Sequence, residues 1–378
     1  MPPHTPCCYR CPICLRIEIS ACEAVITIAI VLRFRGNVLV SEQANDGGAT
    51  GFGARLIGGA DDAVLPIGMH DYVEALGRCT LVDKTMFIAD VLDCDASVMV
   101  CCRPDGFGKS MNLSMLKAFL ERPAVGQVDR GLFAGSQIWD AGGGRYRDEY
   151  ACYPAISLDF SSAARCGANV VGVVHDALSG ECARLLPLLE APDLARDKVR
   201  HIERVARGVA SEDEVGSVLG VLIELLEMAC DEQVVLLVDG YDAAWLGRFA
   251  MSDACGSCPE ELLDRVLFDA IAAAGDSLRL ACLMGEYPGP AETALSSRGC
   301  SHCLSTPLST WCDWWFGFSD AEVQALLGHA GRGEFLDDAR EWFEGYRFGG
   351  FYCTCPARVI DFLNRGCTPP VRADLYGY

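Results

Sequence analysis

The stretch Cys101–Asn112 reads CCRPDGFGKSMN, and its Gly-Lys-Ser ending is typical of phosphate-binding loops. In such a loop, consecutive backbone N–H groups and the start of a helix surround the phosphate oxygens. Lys109 would then contact the β- and γ-phosphates, and Ser110 would ligate Mg²⁺. The usual pattern G-x-x-x-x-G-K-[ST] begins with a glycine, but this chain has Arg103 at that position. GFGKS alone is therefore weak evidence for a nucleotide site.

A second signal lies at the end of an apolar run further along the chain. The sequence VVLLVDGYD places Asp239 directly after Val234–Val238. A carboxylate at the end of such a strand is the Walker B position, which holds Mg²⁺ through its water shell. The two signals occur in the order that a nucleotide-binding protein needs. The alternative is that Lys109 is a solvated lysine at a helix start and Asp239 an ordinary turn residue.

The segments around these motifs alternate between apolar strands and amphipathic helices. The predicted strands are Val98–Cys102, Ala155–Phe160, Val234–Val238 and Leu278–Met284. The predicted helices are Thr85–Leu92, Ser110–Leu120, Val218–Ala229, Leu262–Ala274 and Ser319–Leu327, the last opening on the capping sequence Ser-Asp-Ala-Glu. Strands that are apolar on both faces and separated by helices imply a parallel sheet covered on both sides. We therefore expect an α/β fold: a P-loop NTPase-type parallel sheet with flanking helices.

The pattern also divides the chain into three regions. Residues 1–64 have a Cys/Pro-rich start and a glycine-rich stretch, Gly47–Gly59, without helical or strand period, so we expect an N-terminal appendage, with disorder as one reading. Residues 65–309 form the predicted nucleotide-binding domain. Residues 310–378 form the predicted C-terminal region, which is mainly helical.

Composition limits the classes of partner. The chain has 378 residues, 51% of them hydrophobic, and a formal net charge of −21, which argues against binding nucleic acid or anionic lipid through bulk electrostatics. The longest early apolar run, Ala24–Leu32, is about half of the ~20 residues that a membrane span needs. We therefore expect a cytoplasmic protein without a membrane partner.

The 22 cysteines are spread along the chain, and we expect reduced thiols. The densest group is Cys7, Cys8, Cys11 and Cys14. Three of these with one more thiol would have the spacing of a structural zinc site. A zinc-bound interaction protein is thus a distant alternative, and free thiols in an N-terminal tail are the simpler reading.

Four stretches, in this order, resemble the bacterial AAA-ATPase-like family. They are LPIGMHDYVEALGRCTLVDKTMFIADVLD, RPDGFGKSMNLSMLKAFLE, LLVDGYDAAW and WFEGYRFGGFYCTCPARVIDFLN, and they extend roughly from Leu65 to Asn364. The family's own phosphate loop is typically RPRRFGKS, so Arg103 matches the family pattern. The order of the motifs, more than any single one, makes the resemblance specific.

The resemblance implies a site for ATP and Mg²⁺. Carried onto this chain, it gives nucleotide-binding, metal-binding and catalytic residues. The nucleotide-binding residues are Arg103, Gly106, Phe107, Gly108, Lys109 and Ser110. The metal ligands are Ser110 and Asp239. The catalytic residues are Lys109, Asp239 and Asp242.

Three departures from the family bear on the chemistry. Asp105 and Gly106 replace two arginines, and a carboxylate ~4 Å from a phosphate costs about 1 to 4 kcal/mol, depending on the dielectric. Gly240 replaces the glutamate of the family's DEYD motif, which by analogy polarises the attacking water, and such help is worth ~10²–10⁴-fold. Met284 stands where the family commonly has a threonine, and the following Glu286 is acidic and would repel phosphate. We expect weak or lost hydrolysis unless Asp242 substitutes, and a structural role for Asp242 is the alternative.

The family's members often carry a C-terminal PD-(D/E)XK nuclease-like domain. Here the sequence after GYRFGG contains no convincing D…(D/E)-x-K constellation, so we expect any nuclease to act in trans. The alternative function is therefore a regulatory or interaction module without catalysis. It would act with a nuclease, another protein partner or further copies of itself.

Overall fold

A five-stranded parallel sheet forms the centre of the fold. The computed structural model describes residues 54–59, 67–123, 126, 128–129, 131–164, 169–249 and 259–368. In chain order the strands are β1 Leu56–Gly58, β2 Thr80–Val82, β3 Val98–Cys102, β4 Ala155–Asp159, β5 Val234–Asp239, β6 Leu278–Gly285, β7 His302–Ser305, β8 Glu344–Phe348 and β9 Phe351–Thr354. The sheet order is β4-β5-β6-β3-β7, and every neighbouring pair is parallel. The predicted α/β fold is confirmed.

Both faces of this sheet are buried, which explains why its strands are apolar without alternation. Val98 and Val100 of β3 belong to the core on one face, whereas Met99 and Cys101 belong to the core on the other. The four strands predicted from apolar runs are all present. The prediction missed β7, because its four residues HCLS are only partly apolar and mostly half-buried.

Helices before the C-terminal region pack on both faces of the sheet, and the helices of the C-terminal region form a core of their own. They are α1 Tyr72–Arg78, α2 Met86–Leu92, α3 Lys109–Leu120, α4 Gln137–Asp140, α5 Val170–Leu185, α6 Arg196–Ala206, α7 Glu212–Cys230, α8 Ala243–Phe249, α9 Pro259–Leu263, α10 Ala270–Ala274, α11 Gly289–Ser297, α12 Asp320–His329, α13 Leu336–Phe343 and α14 Pro356–Asn364. A π-helical segment, Asp264–Asp269, joins α9 to α10, so the predicted helix Leu262–Ala274 is interrupted by one wider stretch. No helix within the described ranges is long and apolar enough to cross a membrane.

The C-terminal region is mainly helical but also contains a hairpin. Helices α12, α13 and α14 surround the antiparallel pair β8–β9. The capping box predicted for α12 is present, since Ser319 and Glu322 bond each other's backbone N–H groups. The hairpin was missed because GYRFGGFYCT has apolar and polar residues in no regular order. Glycines at its turn and bulge, with φ of 131° at Gly345 and 52° at Gly349, give the chain this shape.

A short strand lies in the glycine-rich stretch for which no regular structure was expected. Leu56–Gly58 pairs with Thr80–Val82 as an antiparallel strand. Three residues are too few to produce a sequence period, so the pattern gave no signal. The described residues all lie within the unit Ala49–Pro370. The cysteines Cys7, Cys8, Cys11 and Cys14 lie outside the described residues, and the region boundaries at 64 and 309 remain predictions.

A buried ion pair joins the start of the sheet domain to the C-terminal region. Lys84 Nζ lies 2.7 Å from Oε1 and 2.9 Å from Oε2 of Glu322 at the start of α12. The same ammonium donates to the carbonyl oxygen of Trp314 at 3.0 Å. The two side chains are only 11% and 14% exposed. Because a buried charge needs its partner, this contact fixes α12 against the loop that follows β2.

We predict that Lys84→Met lowers the free energy of unfolding by about 3 kcal/mol, the lower end of the range for breaking a buried ion pair. The reason is that the Glu322 carboxylate keeps its burial and loses its cation. Chemical denaturation measures the change. The matched control is Arg78→Met, since the Arg78–Glu74 pair is 67% and 50% exposed and should contribute less than about 1 kcal/mol. Equal losses in the two variants would contradict the prediction.

Candidate functional site

The loop between β3 and α3 has two glycines in the left-handed region. Gly106 has a φ of 80° and Gly108 a φ of 81°, values that favour glycine. Gly108 is the N-cap of α3 and provides no side-chain capping bond. The N–H groups in the first turn of a helix have no acceptor within the helix. The loop therefore offers backbone donors at a helix start, an arrangement that suits an anion.

Gly106 is also required by its neighbours in the C-terminal region. A Cβ atom at this position would lie 3.0 Å from Cβ of Ala357 and 3.1 Å from Sγ of Cys355. The carbonyl oxygen of Gly106 accepts a hydrogen bond from the N–H of Ala357 at 3.1 Å. The start of α14 thus packs directly against the loop. The family's arginine at this position would not fit the present packing.

Lys109 folds back across the loop. Its Nζ donates to the carbonyl oxygens of Arg103 at 2.8 Å and Pro104 at 3.0 Å. It also donates to Oδ1 of Asp105 at 3.2 Å, and Oε1 of Glu286 lies 3.9 Å away. The ammonium therefore lies at the mouth of the loop with two carboxylates beside it.

Ser110 and Asp239 meet across the sheet edge. Ser110 Oγ donates a hydrogen bond to Oδ2 of Asp239, which joins the start of α3 to the end of β5. Burial, opposed by the hydrogen bond from Ser110 and reinforced by Asp159, raises the pKa of Asp239. A hydroxyl and a carboxylate in contact fit Mg²⁺, which prefers oxygen ligands and takes one or two carboxylates together with phosphates of the substrate. The described part of the chain has no group of three His, Cys, Asp or Glu side chains that could hold a metal by itself.

Asp159 is a site residue that the sequence reasoning missed. It ends β4 and stands in register with Asp239 on the neighbouring strand β5. Its carboxylate is exposed, and Oδ1 accepts from the N–H of Ser161 at 2.8 Å. The available signal was that two predicted strands, AISLDF and VVLLVD, both end with an aspartate. Strand order was needed to see that these two strands are neighbours.

Gly240 has no room for a side chain. Its φ is 66°, and a Cβ atom would lie 2.6 Å from the N atom and 2.7 Å from Cα of Ser161. The N–H of Gly240 donates to the carbonyl oxygen of Met284 at 2.9 Å, which fixes the turn after β5. A glutamate at this position would need a different backbone after both β4 and β5. The absence of the family's glutamate is thus built into the local fold.

Asp242 binds the turn that follows β6. Its Oδ2 accepts from the N–H of Glu286 at 2.8 Å and from that of Tyr287 at 2.6 Å. The residue is 1% exposed. These contacts match the structural reading of Asp242. The assignment of Asp242 as a replacement for the missing glutamate stays a prediction, and in this structure its Oδ2 holds the turn through two backbone N–H groups.

Arg103 does not point its side chain at the mouth of the loop. The guanidinium is 0% exposed and lies 4.9 Å from the ring centres of both Phe316 and Phe348. Nη1 and Nη2 donate to the carbonyl oxygen and Oγ of Ser305, each at 3.0 Å. The assignment of Arg103 to nucleotide contact stays a prediction, and in this structure its guanidinium faces the two aromatic rings. Its side chain supports the loop from behind, as expected for a cation between two aromatic rings.

Phe107 supports the loop in the same way. Its ring packs edge-on against Tyr346 and Phe348 of β8, with centroids 4.9 Å apart in each case. The residue is 1% exposed, so its side chain also lies behind the loop. The assignment of Phe107 to nucleotide contact stays a prediction.

A mostly apolar cavity of about 210 Å³ adjoins the loop. It has room for roughly seven water molecules at about 30 Å³ each, which is also large enough for a heterocyclic base. Its walls come from the start of the described chain, from α3 and from the C-terminal region, and they include Met69, His70, Tyr72, Met111, Met115 and Phe318. The buried hydroxyl of Tyr72 has no hydrogen-bond partner among the described residues. No local sequence pattern indicated this cavity, because its walls come from distant segments.

Comparison with known proteins identifies the family. The family described as Predicted AAA-ATPase, AAA-ATPase-like, matches residues 66–288, which is more than half of the chain. This chain belongs to the AAA-ATPase-like family. It is also 25% identical over 293 residues to an Azotobacter chroococcum mcd 1 protein described as "Uncharacterized protein in vnfD 5'region". That match covers 76% of this chain and 49% of the relative, so the chain spans about half the relative's length. No solved structure matches the chain.

Within this AAA-ATPase-like chain, the site has two unequal halves. The side at the β3–α3 loop has the glycine backbone, Lys109 and the Ser110–Asp239 contact. The side at the end of β5 lacks a side chain at Gly240, and Met284 beside it is fully buried.

We predict that Gly240→Ala lowers the free energy of unfolding by about 1–3 kcal/mol, the usual cost of a non-glycine residue in a strained conformation. The displacement of Ser161 adds to this cost. Gly180→Ala is the matched control, because Gly180 lies inside α5 with no atom near its missing Cβ. Alanine should stabilise that position by roughly 0.5–1 kcal/mol. Thermal or urea unfolding of both variants gives the comparison, and a stable Gly240→Ala protein would refute the steric argument.

Proposed function

We propose that this protein binds ATP with Mg²⁺ at the β3–α3 loop and hydrolyses it slowly or not at all. The observation that carries the proposal is the contact between Ser110 and Asp239, with Lys109 one residue away on the same helix. These are the three side-chain types that a Walker A loop and a Walker B strand bring to the phosphates and the metal. The family membership supports a nucleotide as the ligand.

Each residue has a defined task in this proposal. The backbone N–H groups from Gly106 to Ser110 surround the β-phosphate, and Lys109 Nζ exchanges its loop carbonyls for phosphate oxygens. Ser110 and Asp239 hold Mg²⁺, which supplies charge neutralisation between the phosphates when bound. Asp159 stands beside Asp239 and binds a water of the metal's shell. The cavity behind α3 takes the base, where His70 and the unpartnered Tyr72 hydroxyl are available to polar atoms.

Slow turnover follows from what surrounds the attacking water. General-base or water-positioning help contributes ~10²–10⁴-fold. Gly240 has no side chain and no room for one, and Asp242 is bound to the turn after β6. Asp159 lies on the far side of β5 from the loop strand, and the carboxylate of Glu286 after β6 faces the Lys109 ammonium at 3.9 Å.

A second candidate is a regulatory module without catalysis. The observation that favours it is the burial of Arg103 and Phe107 among residues of the C-terminal region. Because loop and C-terminal region share these contacts, a nucleotide that reshapes the loop also acts on that region. Such a module would work in trans on a protein partner such as a nuclease, or as an oligomer, in the cytoplasm. The net charge of −21 makes direct binding to nucleic acid unfavourable.

We predict that Lys109→Ala weakens Mg·ATP binding by about ten- to hundredfold, the value of hydrogen bonds to a charged group. Titration calorimetry measures the change. Lys117→Ala is the matched control, since it removes the same charge from the last turn of α3, away from the loop. The absence of binding in the wild-type protein would overturn the proposal.

Phosphate release from the same samples separates the two candidate functions. The rate of phosphate release by the Lys109→Ala variant serves as the baseline. A small wild-type rate above this baseline supports a slow ATPase. Binding without any such turnover supports the regulatory module. Turnover above about 10 s⁻¹, a median enzyme rate, would show that the site does not need a glutamate at position 240.

A further inference from the structure

The acidic neighbours of Lys109 carry an inference about which nucleotide the site prefers, and it rests on the proposed nucleotide binding. Oδ1 of Asp105 lies 3.2 Å and Oε1 of Glu286 lies 3.9 Å from Lys109 Nζ. One ammonium therefore faces two carboxylates at the place where phosphates would bind. The Asp105 side chain is 75% exposed and that of Glu286 39%, so Glu286 is the less screened of the two charges.

The strand order places Glu286, which follows β6, between the β3–α3 loop and the end of β5. Strand β6 lies between β3, which leads into the loop, and β5, which ends at Asp239. In a bound triphosphate, the terminal phosphate lies between the loop lysine and the metal. That position is above the end of β6, where Gly285 stands in register with Cys102 and Glu286 follows.

The backbone at Glu286 is held in place. Its N–H donates to Oδ2 of Asp242 at 2.8 Å, and the carbonyl oxygen of the preceding Gly285 accepts from the N–H of Arg103 at 3.0 Å. The Glu286 carboxylate can therefore leave the loop only if its side chain rotates away from the Lys109 ammonium.

We propose that Glu286, assisted by Asp105, selects against the terminal phosphate, so that the site binds a nucleoside diphosphate more tightly than a triphosphate. The diphosphate ends before the position that Glu286 faces. The triphosphate brings additional negative charge within a few ångströms of this carboxylate, and unit charges at such distances near a protein surface repel by several times the thermal energy.

The protonation of Glu286 gives the preference a pH dependence. The charged groups that face this carboxylate are Lys109, Asp105 and Asp242, and His70 faces Asp105. Burial, opposed by Lys109 and reinforced by Asp105, raises the pKa of Glu286 to about 7. Glu286 is therefore charged above this pH and neutral below it. The pKa of Asp105 is lowered, because Lys109 and Glu286 outweigh its burial, so Asp105 stays charged throughout.

The experiment is calorimetric titration of the whole chain with Mg·ADP and with the Mg²⁺ complex of a non-hydrolysable ATP analogue, at pH 8 and pH 6. We expect the diphosphate to bind roughly tenfold more tightly at pH 8, within the range for unit charges near a protein surface. The ratio of diphosphate affinity to triphosphate affinity should fall at pH 6. Glu286→Gln should bring this ratio close to one at both pH values, because it strengthens triphosphate binding. Asp105→Asn should lower the ratio partially.

Glu292→Gln is the matched control, because it removes an exposed carboxylate from the first turn of α11 and should leave the ratio unchanged. Equal affinities of the wild type for the two nucleotides at pH 8, or a ratio that Glu286→Gln does not change, would overturn the inference and leave the proposed function standing. If neither nucleotide binds to the wild type or to Glu286→Gln at either pH, the proposed function fails together with the inference. The wild-type comparison across pH needs no variant, so it remains decisive if a variant is unstable.

Discussion

The proposed phosphate site depends on a β3–α3 loop that turns at two glycines while two of its side chains are buried behind it. Arg103 lies between the rings of Phe316 and Phe348, and Phe107 packs on the same hairpin. These contacts turn the loop's side chains away from the ligand side. The left-handed conformations of Gly106 and Gly108 then allow the chain to turn into α3. Without the aromatic contacts of Arg103 and Phe107, the loop sequence would be unchanged but its backbone would no longer be held in this conformation.

The same contacts make the C-terminal region part of the site. Helix α14 starts against Gly106, and the hairpin β8–β9 supplies the rings behind the loop. The conformation of the loop and the position of this region are therefore linked through shared contacts. In front of the loop, Lys109 already has anionic partners in Asp105 and Glu286. The proposed site thus combines a loop that is supported from behind with negative charge in front of it.

The sequence predicted the parts of this arrangement that depend on local pattern. An apolar run defines β3 as Val98–Cys102, and the end of β5 at Asp239 was expected for the same reason. The pairing of Asp159 with Asp239 depends on strand order, which no local pattern contains. The lack of space at Gly240 depends on the approach of Ser161, which lies in the short 3₁₀ turn after β4. The inward turn of Arg103 likewise depends on aromatic residues more than 200 positions away.

We propose that this loop holds the phosphates of a nucleotide, with Ser110 and Asp239 beside the metal. A crystal structure of the protein grown with Mg·ADP is the decisive measurement. We expect density for the β-phosphate against the N–H groups between Gly106 and Ser110, and a cation within reach of Ser110 Oγ and the Asp239 carboxylate. Lys109 Nζ should have left the carbonyl oxygen of Arg103 for a phosphate oxygen. A nucleotide bound elsewhere, with Lys109 still bonded to its own loop, would contradict this proposal.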